Sequence, residues 1–158
     1  MYQRILVPID GSETSNRGAA EALRIAKAFG STVRFFHVID LSPVLRASEG
    51  AVVQADGQPE RVRLESARVV DAALAKASEV GVTAESGTAE IIAGRPAEEI
   101  HAEIDRVRPD LVVMGTHGRR GLSRVMLGSD AEYVVRRVTV PVLLVPRPAA
   151  TAPGQPDR

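Results

Sequence analysis

Short apolar runs alternate along this chain with segments whose apolar residues fall three and four apart, and no other feature restricts the fold as much. Ile5 to Ile9, Thr32 to Ile39, Val82 to Ile92, Asp110 to Met114 and Val140 to Val145 read as strands. Leu111, Val112 and Val113 are apolar without alternation, as in strands buried on both faces. Helical spacing fills the intervals: Ala19, Ala22, Leu23, Ala26 and Phe29 after the first strand, then Val62, Val69, Val70, Ala73, Leu74, Ala77 and Val80. Ala97, Ile100, Ile104 and Val107 form a third stripe, and Ala131, Val134, Val135 and Val138 a fourth. Strand, helix, strand at these lengths implies right-handed parallel crossovers. The expected architecture is an α/β doubly wound sandwich, a five-stranded parallel sheet with helices on both faces. Ligands of such sheets bind outside the carboxyl ends of strands, where Asp10 and Gly115 both fall.

Local signals mark the joints. Pro8 is best placed at the exit of the first strand, since it cannot donate to a ladder. Ser12 can cap the first helix, and Gly30 stops it. Gly81 ends the long helix over residues 60–80, and Gly94-Arg95-Pro96 opens the next with proline in its first turn. Gly87 weakens the third strand. Asp40 to Pro59 shows no period and contains Pro43, Gly50, Gly57 and Pro59, which predicts a long loop, a lid or surface slack. Residues 1–146 read as one domain and 147–158 as a disordered tail.

Composition removes several classes of function. Lys+Arg and Asp+Glu are equal at 20 each, so no global basic field attracts nucleic acid. Cysteine is absent, which excludes disulfides, thiolate catalysis and cysteine–zinc sites. No apolar run approaches the roughly 20 residues of a membrane span, and the first residues lead into a strand rather than a signal peptide. The expected location is the cytoplasm, with no membrane and no nucleic-acid partner.

The stretch from Met114 to Asp130 carries the chemistry. It lies between a buried strand and a helix start and contains Gly115, Gly118, Gly128 and Ser129 in the spacing Gly-x2-Gly-x9-Gly-Ser. A helix N-terminus presents unpaired N–H groups and partial positive charge, so it favours an anion. Glycines let the backbone approach a phosphate closely. Each residue also has a plain structural reading. Ser129 with Glu132 makes a capping box, and the glycines can simply turn the chain.

This spacing resembles the ATP-binding signature of the universal stress protein family. The likeness runs from Met1 to about Pro146, through Ile5-Leu6-Val7-Pro8-Ile9-Asp10-Gly11-Ser12, His37-Val38-Ile39, Asp110 to Gly115 and Pro141 to Val145. It implies a strand order of 3-2-1-4-5 and a homodimer built through the last strand, Val142, Leu143, Leu144 and Val145. It implies ATP or another adenine nucleotide as ligand. Asp10 would lie against the nucleoside and the Val38 backbone against adenine, with Pro8 and Met114 lining the pocket. Gly115, Gly118, Gly128 and Ser129 would hold ribose and phosphates, with Mg2+ carried on the phosphate oxygens and no direct protein ligand.

Asp130 departs from the family pattern, which often has a small or aliphatic residue after the Gly-Ser pair. Facing a triphosphate, its carboxylate would repel unless a cation intervenes; pointing to solvent, it would leave only its N–H at the site. His117 and Arg119 are candidate phosphate contacts, although an exposed loop histidine is the simpler reading of His117. His37 ends a strand and packs. His101 sits beside Glu98, Glu99, Glu103 and Asp105, which reads as a charged solvent face rather than a metal site. There is no Gly-x4-Gly-Lys-Ser/Thr loop and no Gly-x-Ser-x-Gly elbow.

These residues amount to no dedicated catalytic apparatus. The expected function is a nucleotide-dependent stress-response and signalling module. The alternatives are a slow ATPase or nucleotidyl-transfer enzyme, in which His117 or Asp10 assists, and a dimeric interaction module without nucleotide.

Overall fold

The computed structural model describes residues 2–48, 57–116 and 127–146. Its elements are β1 (Arg4–Pro8), α1 (Glu13–Phe29), β2 (Thr32–Asp40), α2 (Ser42–Ser48), α3 (Gln58–Glu79), β3 (Ala84–Ile91), α4 (Pro96–Val107), β4 (Leu111–Gly115), α5 (Ser129–Arg137) and β5 (Val142–Val145). The five strands form one parallel sheet of order β3-β2-β1-β4-β5, as the family resemblance implies. The order reverses direction between β1 and β4, the strands that lead to Asp10 and Gly115.

Alternation along the strands divides the core in two. Ile5, Val7, Val33, Phe35, Leu111 and Val113 point to one face and pack with Ala19, Ala22, Leu23 and Ala26 of α1 and Val70, Ala73 and Ala77 of α3. Leu6, Phe36, Val112 and Met114 point to the other and pack with Ile100 and Ile104 of α4 and Ala131 and Val134 of α5. Both faces of the sheet are therefore covered, which is why the strand runs are apolar throughout.

The helix ends follow the residues that mark them. Ser12 caps α1 by accepting from the Ser15 N–H at 3.3 Å, and Gly30 ends it in the left-handed region at φ 70°. Pro96 opens α4 at the first turn, as expected. One residue inside α1 runs against propensity: Gly18 costs a helix interior about 0.5–1 kcal/mol relative to alanine.

Four expectations need correction. The segment from Asp40 to Pro59 is not without structure: β2 runs to Asp40, and α2 occupies Ser42–Ser48. Asp40 begins that turn by accepting from the Ser42 N–H at 3.0 Å. Residues 49–56 lie outside the described residues, as do 147–158 with the expected disordered tail. Gly87 does not interrupt the third strand, which pairs with β2 from Val33↔Ala84 to Asp40↔Ile91. Phe29 and Val80 do not point inward; they are 53% and 39% exposed at the last turns of their helices, where the apolar period runs past the edge of the sheet. Phe29 instead stacks edge-on against Tyr2 at 6.1 Å. Finally, Glu103 is not on a solvent face. It is 6% exposed and bonded to Arg34 and Arg106.

Candidate functional site

Separation of β1 from β4 opens the crevice. Their register holds Ile5↔Leu111 and Leu6↔Val112, whereas β1 stays with β2 to Pro8↔Phe36. Pro8 fits this divergence, because its missing N–H is not asked for on the β4 side. It is buried, as is Met114 at 5% exposure across the gap.

At the β1 exit the backbone is held from three directions. The Ile9 N–H donates to the Phe36 carbonyl at 2.8 Å, and His37 Nδ1–H donates to the Ile9 carbonyl at 2.7 Å. Because a carbonyl only accepts, this bond places a proton on Nδ1 of His37. Asp10 follows and turns the chain: its N–H donates to Ser15 Oγ at 3.0 Å, and its Oδ1 accepts from the Ser12 N–H at 2.9 Å. Asp10 lies two residues beyond Pro8 and Val38 two beyond Phe36, so both follow the last register pair of β1 and β2, Pro8↔Phe36. Val38 is half-buried.

On the other wall, Gly115 ends β4 opposite Val145. Thr116 then ties two further segments to the end of β4. Its N–H donates to the Val145 carbonyl at 3.1 Å, and its carbonyl accepts from the Gly128 N–H at 2.7 Å. That second bond carries the chain from the end of β4 to the start of α5 and brings Gly115 and Gly128 into one local unit.

The start of α5 corrects the capping-box reading. Gly128, not Ser129, is the cap, in extended conformation at φ −60° and ψ 146°, and its carbonyl accepts from the Glu132 N–H at 2.9 Å. Ser129 occupies the first helical position and is exposed. Among the described residues, no side chain caps this helix. Its N-terminal dipole opens at the carboxyl end of β4, where Asp130 and Glu132 supply the first-turn acidic residues.

Of the residues singled out by sequence, Pro8, Asp10, Val38, Met114, Gly115, Gly128, Ser129 and Asp130 thus gather at the carboxyl ends of β1, β2 and β4 and at the start of α5. Gly118, His117 and Arg119 lie outside the described residues. His101 is elsewhere, beside Asp105 at 3.5 Å and edge-on to Tyr133 at 6.5 Å. With Arg108 and Arg137 it borders a groove at the opposite ends of α4 and α5. Thr116, Ser15 and the fixed tautomer of His37 were not legible as site features, since each acts through backbone bonds that no residue type announces.

The universal stress protein family profile matches residues 1–146. The chain belongs to the universal stress protein family. A member from Methanocaldococcus jannaschii, Universal stress protein MJ0531, is 35% identical over 94% of this chain and 84% of its own length. The solved structure of MJ0577, from the same organism, superposes with a TM-score of 0.75 at 28% identity, covering 95% of this chain and 99% of that one. A family protein from Arabidopsis thaliana solved with AMP bound shares the fold, with a TM-score of 0.63 at 20% identity and 93% of both chains covered. Among the described residues, no helix is long and apolar enough to cross a membrane.

Proposed function

We propose that this universal stress protein binds an adenine nucleotide, ATP with Mg2+ in the first instance, and uses it as a signal in the stress response of the cytoplasm. The observation that carries this reading is the N-terminus of α5. Among the described residues it has a glycine cap and no side-chain cap, and it follows β4, the sheet neighbour of the strand that leads to Asp10. Preformed helix-end N–H groups suit phosphate oxygens, and the bare backbone at Gly115 and Gly128 admits them closely.

The bound AMP of the Arabidopsis relative supports adenine as the base. In this reading Val38 contributes backbone contacts to adenine, Asp10 faces the nucleoside, and Pro8 and Met114 line the pocket. Gly115, Gly118, Gly128 and Ser129 take ribose and phosphates, with His117 and Arg119 as further phosphate contacts. Mg2+ rides on phosphate oxygens. It would supply charge neutralisation to phosphates held beside the first-turn Asp130.

Two copies of the chain pair through β5 in the same reading. Val142, Leu143, Leu144 and Val145 are half-buried on an edge strand, and an apolar edge left open is an aggregation hazard that proteins cover.

Denaturing the purified protein and identifying released nucleotide by mass, followed by titration of the stripped protein with ATP and Mg2+, tests the reading. Adenine nucleotide near one per chain is the expected result. A protein that is empty and gives a flat isotherm would mean that the glycines are scaffold. Sedimentation at equilibrium tests the dimer separately.

A further inference from the structure

The nucleotide reading gives Gly18 no role. Gly18 lies inside α1, where glycine is a poor helix former, and it belongs to no signature of the sequence. A Cβ built at Gly18 would stand 3.2 Å from the Gly115 nitrogen and 3.4 Å from the Met114 carbonyl carbon. Helix α1 therefore lies directly on the backbone at the end of β4. The contact is reciprocal. A Cβ at Gly115 would come within 2.7 Å of the Thr14 carbonyl carbon, 2.8 Å of its oxygen and 3.0 Å of the Ser15 nitrogen. Every one of these neighbours is backbone, which cannot swing aside as the tip of a side chain can.

This seam of bare backbone stands at the root of both walls of the pocket. On the α1 side, Thr14 and Ser15 are buried, and Ser15 Oγ holds the Asp10 N–H at 3.0 Å. On the β4 side, Gly115 precedes Thr116, whose carbonyl holds the Gly128 N–H at 2.7 Å. Widening the seam moves the Asp10 turn away from Gly128 and the start of α5. It does so without altering any side chain of the pocket.

We infer that Gly18 is a positioning residue of the nucleotide pocket, setting through its seam with Gly115 the distance between the Asp10 turn and the Gly128 end of α5. This inference rests on the nucleotide reading proposed above. It gives Gly115 a packing duty in addition to any contact with ligand. It also explains why α1 keeps a glycine that lowers its own helical propensity.

The test measures AMP and ATP–Mg2+ affinity, thermal stability and the backbone amide spectrum of Asp10 to Ser15 in Gly18→Ala, Gly18→Val and a control, Ala26→Gly. Ala26 is buried on the same helix, two turns from the seam, and glycine there weakens α1 without adding an atom against β4. The added methyl of Gly18→Ala requires a shift of a few tenths of an ångström. Affinity is expected to fall about three- to tenfold, by analogy with the sensitivity of bound geometry to small misplacement, and more in Gly18→Val. The amides of Asp10 to Ser15 shift in both variants. Ala26→Gly lowers the melting temperature and keeps the affinity of the parent.

Parental affinity in Gly18→Ala, or an equal loss in Ala26→Gly, would overturn the inference. Should Gly18→Val fail to fold, Gly18→Ala decides. A parent chain that binds neither AMP nor ATP removes the nucleotide reading and this inference with it. That failure is seen before any variant is made, and so is distinct from a failure of Gly18 alone.

Discussion

Arg34 reaches Glu103 across the backbone of Gly87. Its Nε donates to Glu103 Oε1 at 2.5 Å, tying β2 to α4, while its Nη1 donates to Glu85 at 3.1 Å. Arg106 closes the other side of Glu103 with two bonds of 2.7 Å. The carboxylate is 7% exposed at its side chain, so its charge is retained only because two guanidiniums satisfy both oxygens.

Acid should dissolve this bridge. Burial alone pushes the Glu103 carboxyl up, but the bonds and charges of Arg106 and Arg34 outweigh it and hold the group below its ordinary 4.5. A carboxyl depressed in the folded state contributes stability that is fully present above the unfolded value and is lost as pH falls through the lower folded value. Glu103→Gln should therefore cost about 2 kcal/mol at neutral pH, less than the roughly 3–5 kcal/mol for breaking a fully buried pair, because Arg106 is largely exposed. The gap from the parent should narrow only below about pH 4.5. Denaturant melts from roughly pH 3, inside the carboxylate range, up to about pH 8 check it, and a gap independent of pH would sink the argument.

Gly87 should be coupled to the same bridge. A Cβ there would stand 2.4 Å from Arg34 Nη2 and 3.1 Å from Cζ, so alanine displaces the guanidinium from its path. Gly87→Ala is expected to cost about 1–2 kcal/mol in the parent and clearly less in the Glu103→Gln background, where the bridge is already broken. Additive losses in this double-mutant cycle would show that the glycine serves something other than Arg34.

What the sequence disclosed, and what it hid, follows from the range of the interactions. The sheet and its helices were legible because Leu111 to Val113 and the stripe Ala97, Ile100, Ile104 state their burial through local period. Glu103 was misread because it sits among Glu98, Glu99 and Asp105, whereas the partner that buries it comes from β2. The Ser129–Glu132 pair matched a capping box, yet Thr116 pins Gly128 as the cap instead. Helix α2 escaped notice because seven residues with a proline show no usable period. Of the candidate site, glycine spacing pointed to the joint between β4 and α5, and the family resemblance to Pro8, Asp10, Val38 and Met114. The parts that sequence missed, Thr116 and Gly18, act through backbone geometry between distant segments.

Asp110 should prove to be the fastener of the N-terminal end. Its Oδ2 accepts from the Arg4 N–H at 2.8 Å and from the Gln3 N–H at 2.9 Å, joining the start of β1 to the residue before β4. Those bonds, Arg4 first, hold the carboxyl below its ordinary 3.8. The contribution is present above that unfolded value and is lost as pH falls below it. Asp110→Asn is expected to cost about 1 kcal/mol at neutral pH and to speed amide exchange at Gln3 and Arg4. Unchanged exchange at both amides would refute the assignment.

Asp130 should make nucleotide binding unusually dependent on a divalent cation. It sits in the first turn of α5, where a carboxylate stabilises the helix end by about 0.3–1 kcal/mol without any ligand. A triphosphate brought to the same helix end competes for the same partial positive charge and meets the carboxylate as a like charge. Mg2+ on the phosphate oxygens removes that repulsion, so ATP affinity should fall at least about tenfold when EDTA replaces Mg2+, which is about 1.4 kcal/mol. AMP, with less charge, should respond less. Asp130→Ala should bind ATP in EDTA more tightly than the parent does, at a small cost in thermal stability from the lost helix-end charge. Calorimetric titration of parent and variant, each with Mg2+ and with EDTA, checks all of this. Equal ATP affinity of the parent in both buffers would mean that the Asp130 carboxylate does not face the phosphates.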